Sequence, residues 1–243
     1  MNAETILFLV LGAAAGGFIN GLAGTGTALF ALGFYLVVLD PITAVAIVAL
    51  MSVLVGLQGL WIVRAAIFAQ PRRLARFLLP GLVGVPIGLS LLNVIDAGTL
   101  RIAIAAFLII YGAYFGFRAA LPSFSGRTPL VDSTVGFIGG ILGGAAAISG
   151  AIPAMWLSVR PGTKSETRAV LQPFNVAILS TAIFLFFLNG AYDRTAVTAL
   201  LVTVPVGVIG AQVGIRVFHS LSDTGFRRFL IILTLLIGLG VLA

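Results

Sequence analysis

GFINGLAGTGTAL occupies residues 17–29, inside an otherwise strongly apolar stretch. Glycine and threonine both weaken a helix, and Asn20 brings an amide into a segment that otherwise suits hydrocarbon. A similar interruption returns at GFIGGILGGAAAISGAIP, residues 136–153. How these two stretches sit relative to a membrane decides the fold.

The chain has 243 residues, of which 60% are hydrophobic and 9% charged, with a mean hydropathy of +1.19. That composition cannot supply the polar shell of a water-soluble domain. Apolar runs long enough to span a bilayer recur along the chain, and full-length spans are expected near 42–63, 77–95, 100–117, 169–188, 195–215 and 227–243. The reading is an all-α polytopic integral membrane protein. The start, MNAETILFLV, lacks a positive n-region and a small-residue cleavage site, so it reads as a retained first element rather than a signal peptide. Without cysteine there are no disulfides, thiolate metal sites or cysteine nucleophiles. The net charge of +7 comes from basic residues scattered between apolar spans, which points to lipid headgroups and away from nucleic acid.

The two halves read alike. Gly17, Phe18, Ile19, Gly21 and Gly24 match Gly136, Phe137, Ile138, Gly140 and Gly143 at a shift of 119, from Gly17 to Gly136. Gly84, Gly88 and Arg101 match Gly210, Gly214 and Arg227 at a shift of 126, and Ala44-Val45 matches Ala169-Val170 at 125. An internal duplication follows, with a first repeat at 1–118, a polar, proline-containing linker at 119–130 and a second repeat at 131–243.

The basic residues test how each glycine-rich segment crosses. With one crossing each, the fourteen Lys and Arg divide evenly and predict no orientation. With a dip and return, or two complete crossings, twelve share one face and only Arg101 and Arg194 lie opposite. The richer face should be cytoplasmic. Each half then holds a broken or hairpin segment followed by three transmembrane helices, the halves are inverted, and both termini lie outside, on the periplasmic side. Trp61, Trp156 and Tyr114 fall beside inner-face arginines, and Tyr35 and Tyr192 beside Asp40 and Asp193, all expected interfacial positions.

Inverted repeats with interrupted spans point to a transport site. Broken backbone is tolerated in a membrane only where protein or water covers it, and the returning half-helix presents free N–H groups and a partial positive charge suited to an anion. The expected substrate-binding set is Asn20, Gly21, Gly24, Thr25, Gly26, Thr27, Gly143, Gly144, Ser149, Gly150, Arg168, Gln172 and Asn175. Glycine pairs spaced by four also serve close helix packing; that reading is favoured for Gly84–Gly88 and Gly210–Gly214, and the site reading for the tips at 20–27 and 143–150. The carboxylates, Glu4, Asp40, Asp96, Asp132, Glu166, Asp193 and Asp223, all fall at or near span ends, which does not support carboxylate-coupled cation symport. Ser52, Gln58, Gln172, Asn175 and Gln212 are the neutral polar residues within spans, fit either for an anion or for one another. Lys164 reads as a headgroup anchor, while Arg168 reads equally as an anchor or as part of the anion path. His219 sits at a span end, and no Ser/His/Asp set or metal-ligand cluster is available, so neither an enzyme, a cofactor nor a metal is expected. A homodimer is compatible with the sequence.

The paired openings GFINGLAGTGTAL and GFIGGILGGAAAISG, the K-x-x-x-R-A entry at 164–169 and the total length resemble the sulfite exporter TauE/SafE family of membrane permeases. The resemblance implies a transporter of sulfur-containing anions such as sulfite, organosulfonates or sulfoacetate, placed in the inner membrane of a bacterial host. Ala145–Ala147 stands where that family usually has more glycine, a departure that bears on the substrate rather than the fold. The competing reading is a channel-like or scaffold membrane protein whose glycines serve packing alone.

Overall fold

The computed structural model describes residues 2–92, 124–126 and 128–226, with isolated positions between 94 and 113 and between 228 and 232. The described residues form eight principal helices and no strand. They are α1 (Ala3–Ala23), α2 (Thr27–Val38), α3 (Pro41–Ala69), α4 (Pro71–Leu92), α5 (Pro129–Ala146), α6 (Ala151–Ser158), α7 (Lys164–Leu188) and α8 (Arg194–Ser220). Six of them, all but α2 and α6, are long and apolar enough to cross a membrane. The spans expected at 100–117 and 227–243, with Tyr114, lie outside the described residues. The span expected at 77–95 begins earlier, at Pro71, and the one expected at 42–63 runs on to Ala69. Both extensions carry arginines, which can remain helical at a membrane edge by snorkelling to the headgroups.

Local signals set the helix starts. Asn2, Asp40, Thr163 and Asp193 cap α1, α3, α7 and α8 through their side chains, and Thr163 with Glu166 forms a full capping box. Both glycine-rich segments fold as hairpins. The Phe8 and Phe34 rings lie 6.3 Å apart, and a Cβ at Gly12 would meet the Tyr35 ring at 2.6 Å, so α2 returns along α1. In the second segment Trp156 Nε1 donates to Asp132 Oδ1 at 2.7 Å, and a Cβ at Gly139 would lie 3.1 Å from Pro153, so α6 returns along α5.

Each hairpin leans on a helix from the other half. A Cβ at Gly17 would fall 2.7 Å from Gly207 Cα, and one at Gly21 would fall 2.6 Å from Ala211 Cα, so α1 runs parallel to and in backbone contact with α8. On the other side, a Cβ added at Gly136 would fall 2.6 Å from Phe77 Cα and one at Gly140 would fall 2.8 Å from Gly81 Cα, which joins α5 to α4 in the same way. Gly84–Gly88 and Gly210–Gly214 supply the opposite faces of these seams, where an added Cβ would lie 2.8–3.0 Å from the Ile141, Ala145, Phe18 and Leu22 main-chain nitrogens. Packing accounts for all of these glycines, since only a missing side chain lets two helix backbones approach so closely.

The two seams pair residues in the same way. Gly210 and Gly214 face Phe18 and Leu22, while Gly84 and Gly88 face Ile141 and Ala145. Phe18 and Ile141 lie 123 residues apart, as do Leu22 and Ala145, and α1 closes on Gly24 and α5 on Ala147, again 123 apart.

Tyr35 is a second correction. It is fully buried, and its hydroxyl donates to Met51 Sδ at 3.6 Å, so it belongs to the core and not to the interface. Tyr192 is half-buried and donates to Ala46 O at 3.0 Å. Trp61 is exposed, with the Arg64 guanidinium carbon 3.8 Å from its ring centroid.

Candidate functional site

The first break spans residues 24–26. Gly24 ends α1 at φ 81 and Gly26 precedes α2 at φ 97, both in the left-handed region that glycine enters without strain. The second break, 147–150, is turned by Ala147 at φ 55. Neither returning helix has a side-chain cap: Gly26 precedes α2 and Gly150 precedes α6. Side chains cap α1, α3, α7 and α8, while α5 also starts without one, at Thr128. At the breaks, first-turn N–H groups are left for whatever polar group lies in front of them.

The two breaks touch. A Cβ at Gly150 would overlap the Thr25 hydroxyl. Thr25 Oγ1 and Ser149 Oγ, one from each break, both donate to Asn175 Oδ1, at 3.4 and 2.6 Å. Asn175 Nδ2 in turn donates to Ser52 Oγ at 3.2 Å. Asn20 Nδ2 reaches Thr27 Oγ1 at 2.7 Å and both Ser52 oxygens at 3.1 Å. Gln172 Nε2 donates to Gly56 O at 2.8 Å and, more weakly, to Asn20 Oδ1 at 3.5 Å. Arg168 completes the chain: Nε donates to Gln172 Oε1 at 3.2 Å and Nη1 to Leu22 O at 3.4 Å.

Asn20, Thr25, Thr27, Ser149, Arg168, Gln172 and Asn175 are therefore brought into one buried polar cluster. Gly24 faces it, with an added Cβ lying 2.6 Å from Gln172 Oε1, and Gly26 and Gly150 shape its turns. Gly143 packs beside Ser149 and Ile178 at the edge of the cluster. Gly21 and Gly144 do not join it, because they lie in the helix seams against Ala211 and Val85.

Three participants were not among the expected site residues. Ser52, Gly56 and Gly59 lie on α3, with a Cβ at Gly59 falling 2.7 Å from Arg168 Nη2. The polarity of Ser52 was visible in the sequence, but its proximity to Asn20 and Asn175 across long separations was not. Ser52 lies eleven residues into α3, about 17 Å along the axis at roughly 1.5 Å per residue, close to the middle of a hydrocarbon layer about 30 Å thick.

Two basic residues behave differently from a headgroup anchor. Arg168 is wholly buried, with its guanidinium carbon 4.5 Å from the Phe218 ring centroid. Lys164, expected to reach headgroups, donates through Nζ to Phe218 O at 2.8 Å and to Leu221 O, closing the end of α8. The carbonyls left unpaired at a helix C-terminus attract a cation. Gln212 and Gln58 bond each other, the interhelical alternative for neutral amides. His219 is exposed in the last turn of α8, and no group of metal-ligating side chains occurs among the described residues.

Spanning helices that enclose two facing backbone breaks, lined by buried neutral donors, define the class of polytopic membrane transporters. The chain belongs to the sulfite exporter TauE/SafE family, whose model matches residues 8–241, so it is an integral membrane transporter of a family serving sulfite-type anions. No curated protein and no solved structure matches the chain.

Proposed function

We propose that the protein exports a small sulfur-containing anion, such as sulfite, an organosulfonate or sulfoacetate, by alternating access around the two breaks. The observation that carries this reading is the convergence of Thr25 and Ser149, one from each break, on Asn175. Two helix starts without side-chain caps adjoin them, and the cluster holds no carboxylate to repel a negative charge. Asn20, Gly24, Thr25, Gly26, Thr27, Ser149, Gly150, Gln172 and Asn175 form the substrate path, with Gly143 bracing its edge.

The halves, 1–118 and 131–243 joined at 119–130, act as inverted repeats in this mechanism. Support comes from α3 and α7, which run antiparallel where Ser52 bonds Asn175 and Gly56 bonds Gln172. The exchanged seams, α1 with α8 and α5 with α4, support it further. The protein sits in the inner membrane with both termini periplasmic, a reading carried by the twelve-to-two division of basic residues. An inside-negative potential then favours exit of an anion by about 2.3 kcal/mol per charge per 100 mV, so export needs no coupling ion.

Proteoliposomes loaded with sulfite test both parts. Loss of sulfite should exceed that from protein-free vesicles and should accelerate under an inside-negative potential. No excess loss removes the transport reading, and an excess insensitive to potential removes uncoupled export.

A further inference from the structure

We propose that Arg168 is the fixed positive charge that holds the transported anion, with Gln172 as the positioning residue that orients its guanidinium. The inference rests on the anion-transport reading above and adds the group that distinguishes an anion from a neutral molecule of the same shape.

Arg168 has no measurable exposure, and it lies one helical turn from Gln172, at one end of the polar cluster. A guanidinium does not give up its proton under ordinary conditions. Burying it without a counter-charge is costly, and ionisable groups kept inside membrane segments mark substrate or ion paths. Its present partners are all neutral: Gln172 Oε1, the Leu22 carbonyl at the long distance of 3.4 Å, and the Phe218 ring. Nη2 has no hydrogen-bond partner. Among the described residues no carboxylate pairs with Arg168; the recorded ion pair joins Arg76 to Asp132 elsewhere.

The geometry selects a ligand chemistry. Nη2 is unbonded and Nη1 holds only a weak bond, so the edge formed by these two nitrogens can donate to two oxygens of one anion. Sulfite and sulfonates present such oxygen pairs, and arginine binds oxyanions well in this forked fashion. Gln172 cannot turn freely to compete, because its Nε2 is tied to Gly56 O at 2.8 Å, which leaves Oε1 facing Arg168 Nε. Gly24 and Gly59 flank the arginine from α1 and α3, and a side chain on either would overlap Gln172 Oε1 or the guanidinium.

The test compares wild-type protein with Arg168→Gln and Arg168→Lys, purified whole, for thermal stability without anion and for equilibrium binding of sulfite and methanesulfonate. Methanesulfonamide serves as the uncharged isostere. Arg168→Gln should be at least as heat-stable as wild type, because it removes an undercompensated buried charge, while its sulfite affinity falls at least tenfold. It should also lose the preference for methanesulfonate over methanesulfonamide. Arg168→Lys should keep that preference with reduced affinity. Wild-type sulfite affinity in Arg168→Gln, or a preference for the charged isostere that survives in it, overturns the proposal. So does an Arg168→Gln protein that unfolds while Arg168→Lys binds neither anion, since the residue would then be structural. Wild-type protein that binds neither anion overturns the transport reading as well, and this separates the two failures.

Discussion

Gly24 and Ala147 end α1 and α5 in the same left-handed conformation, at φ 81 and φ 55, and only one of them is glycine. The Ala147 N–H bonds to Gly143 O at 3.0 Å and the Gly24 N–H to Asn20 O at 2.8 Å, so each turn closes its helix by the same device. What differs is the local cost, because a Cβ in this region crowds the following carbonyl by about 1–2 kcal/mol.

Ala147→Gly should therefore be nearly neutral, because relief of the backbone strain offsets both the loss of a buried methyl worth about 0.8 kcal/mol and the extra freedom of glycine in the unfolded chain. Gly24→Ala should destabilise the protein by more than about 1 kcal/mol, since the new methyl adds a clash with Gln172 to the same backbone strain. Thermal unfolding of the two purified variants checks this, and an Ala147→Gly protein less stable than Gly24→Ala contradicts it.

Asn175 offers a way to separate site from scaffold. Asn175→Asp keeps an acceptor for Ser149 and Thr25 but places a negative charge on the path the anion must pass between the two breaks. Two like charges about 4 Å apart repel by about 4 kcal/mol at an effective dielectric constant of 20. Sulfite flux should drop at least tenfold while the protein still assembles. Unchanged flux in proteoliposomes would place the substrate elsewhere.

The seams predict a different failure. Gly140→Val would drive a branched side chain into the Gly81 backbone of α4, and overpacking against rigid main chain costs about 1–3 kcal/mol or more. The expected result is loss of folded protein in the membrane, read by size-exclusion chromatography of detergent extracts. Gly33→Ala is the matched control: nothing lies within 4 Å of its added Cβ, and alanine in a helix gains about 0.8–1 kcal/mol over glycine.

Lys164→Gln tests the closure of α8. The substitution removes the ammonium that bonds the Phe218 and Leu221 carbonyls, and a cation at a helix end is worth about 0.3–1 kcal/mol, more when partly buried. A modest fall in thermal stability is expected. A larger change in lipid association than in stability would return Lys164 to the role of a headgroup anchor.

Much of this architecture was legible beforehand for a simple reason. Lipid imposes length and apolarity on every span, so four helices could be placed within a few residues of their core, and glycine-dense stretches could be recognised as interruptions. The tips, expected at 20–27 and 143–150, enclose the breaks at 24–26 and 147–150, although nothing in the sequence marked Ala147 as the turning residue, and the neutral character of Asn20, Gln172 and Asn175 followed from residue type. Glycines, however, carry no label for use. Gly21 and Gly24 lie three residues apart, yet one meets the α8 backbone and the other faces Arg168. Helical rotation makes that choice, and it depends on which neighbour packs on each side.

The sequence by itself determined the membrane class, the family resemblance, the two interruptions and the lack of any acid at their tips, because all of these rest on composition and local order. Tertiary structure alone decided that the breaks touch through Gly150 and Thr25, that Ser52 joins them, that the glycine seams join α1 to α8 and α5 to α4, and that Arg168 lies buried against Phe218. Those facts depend on contacts between segments up to about 190 residues apart, as at Gly17 and Gly207. Such contacts are set by how closely glycine faces let whole helices approach, which no window along the chain records.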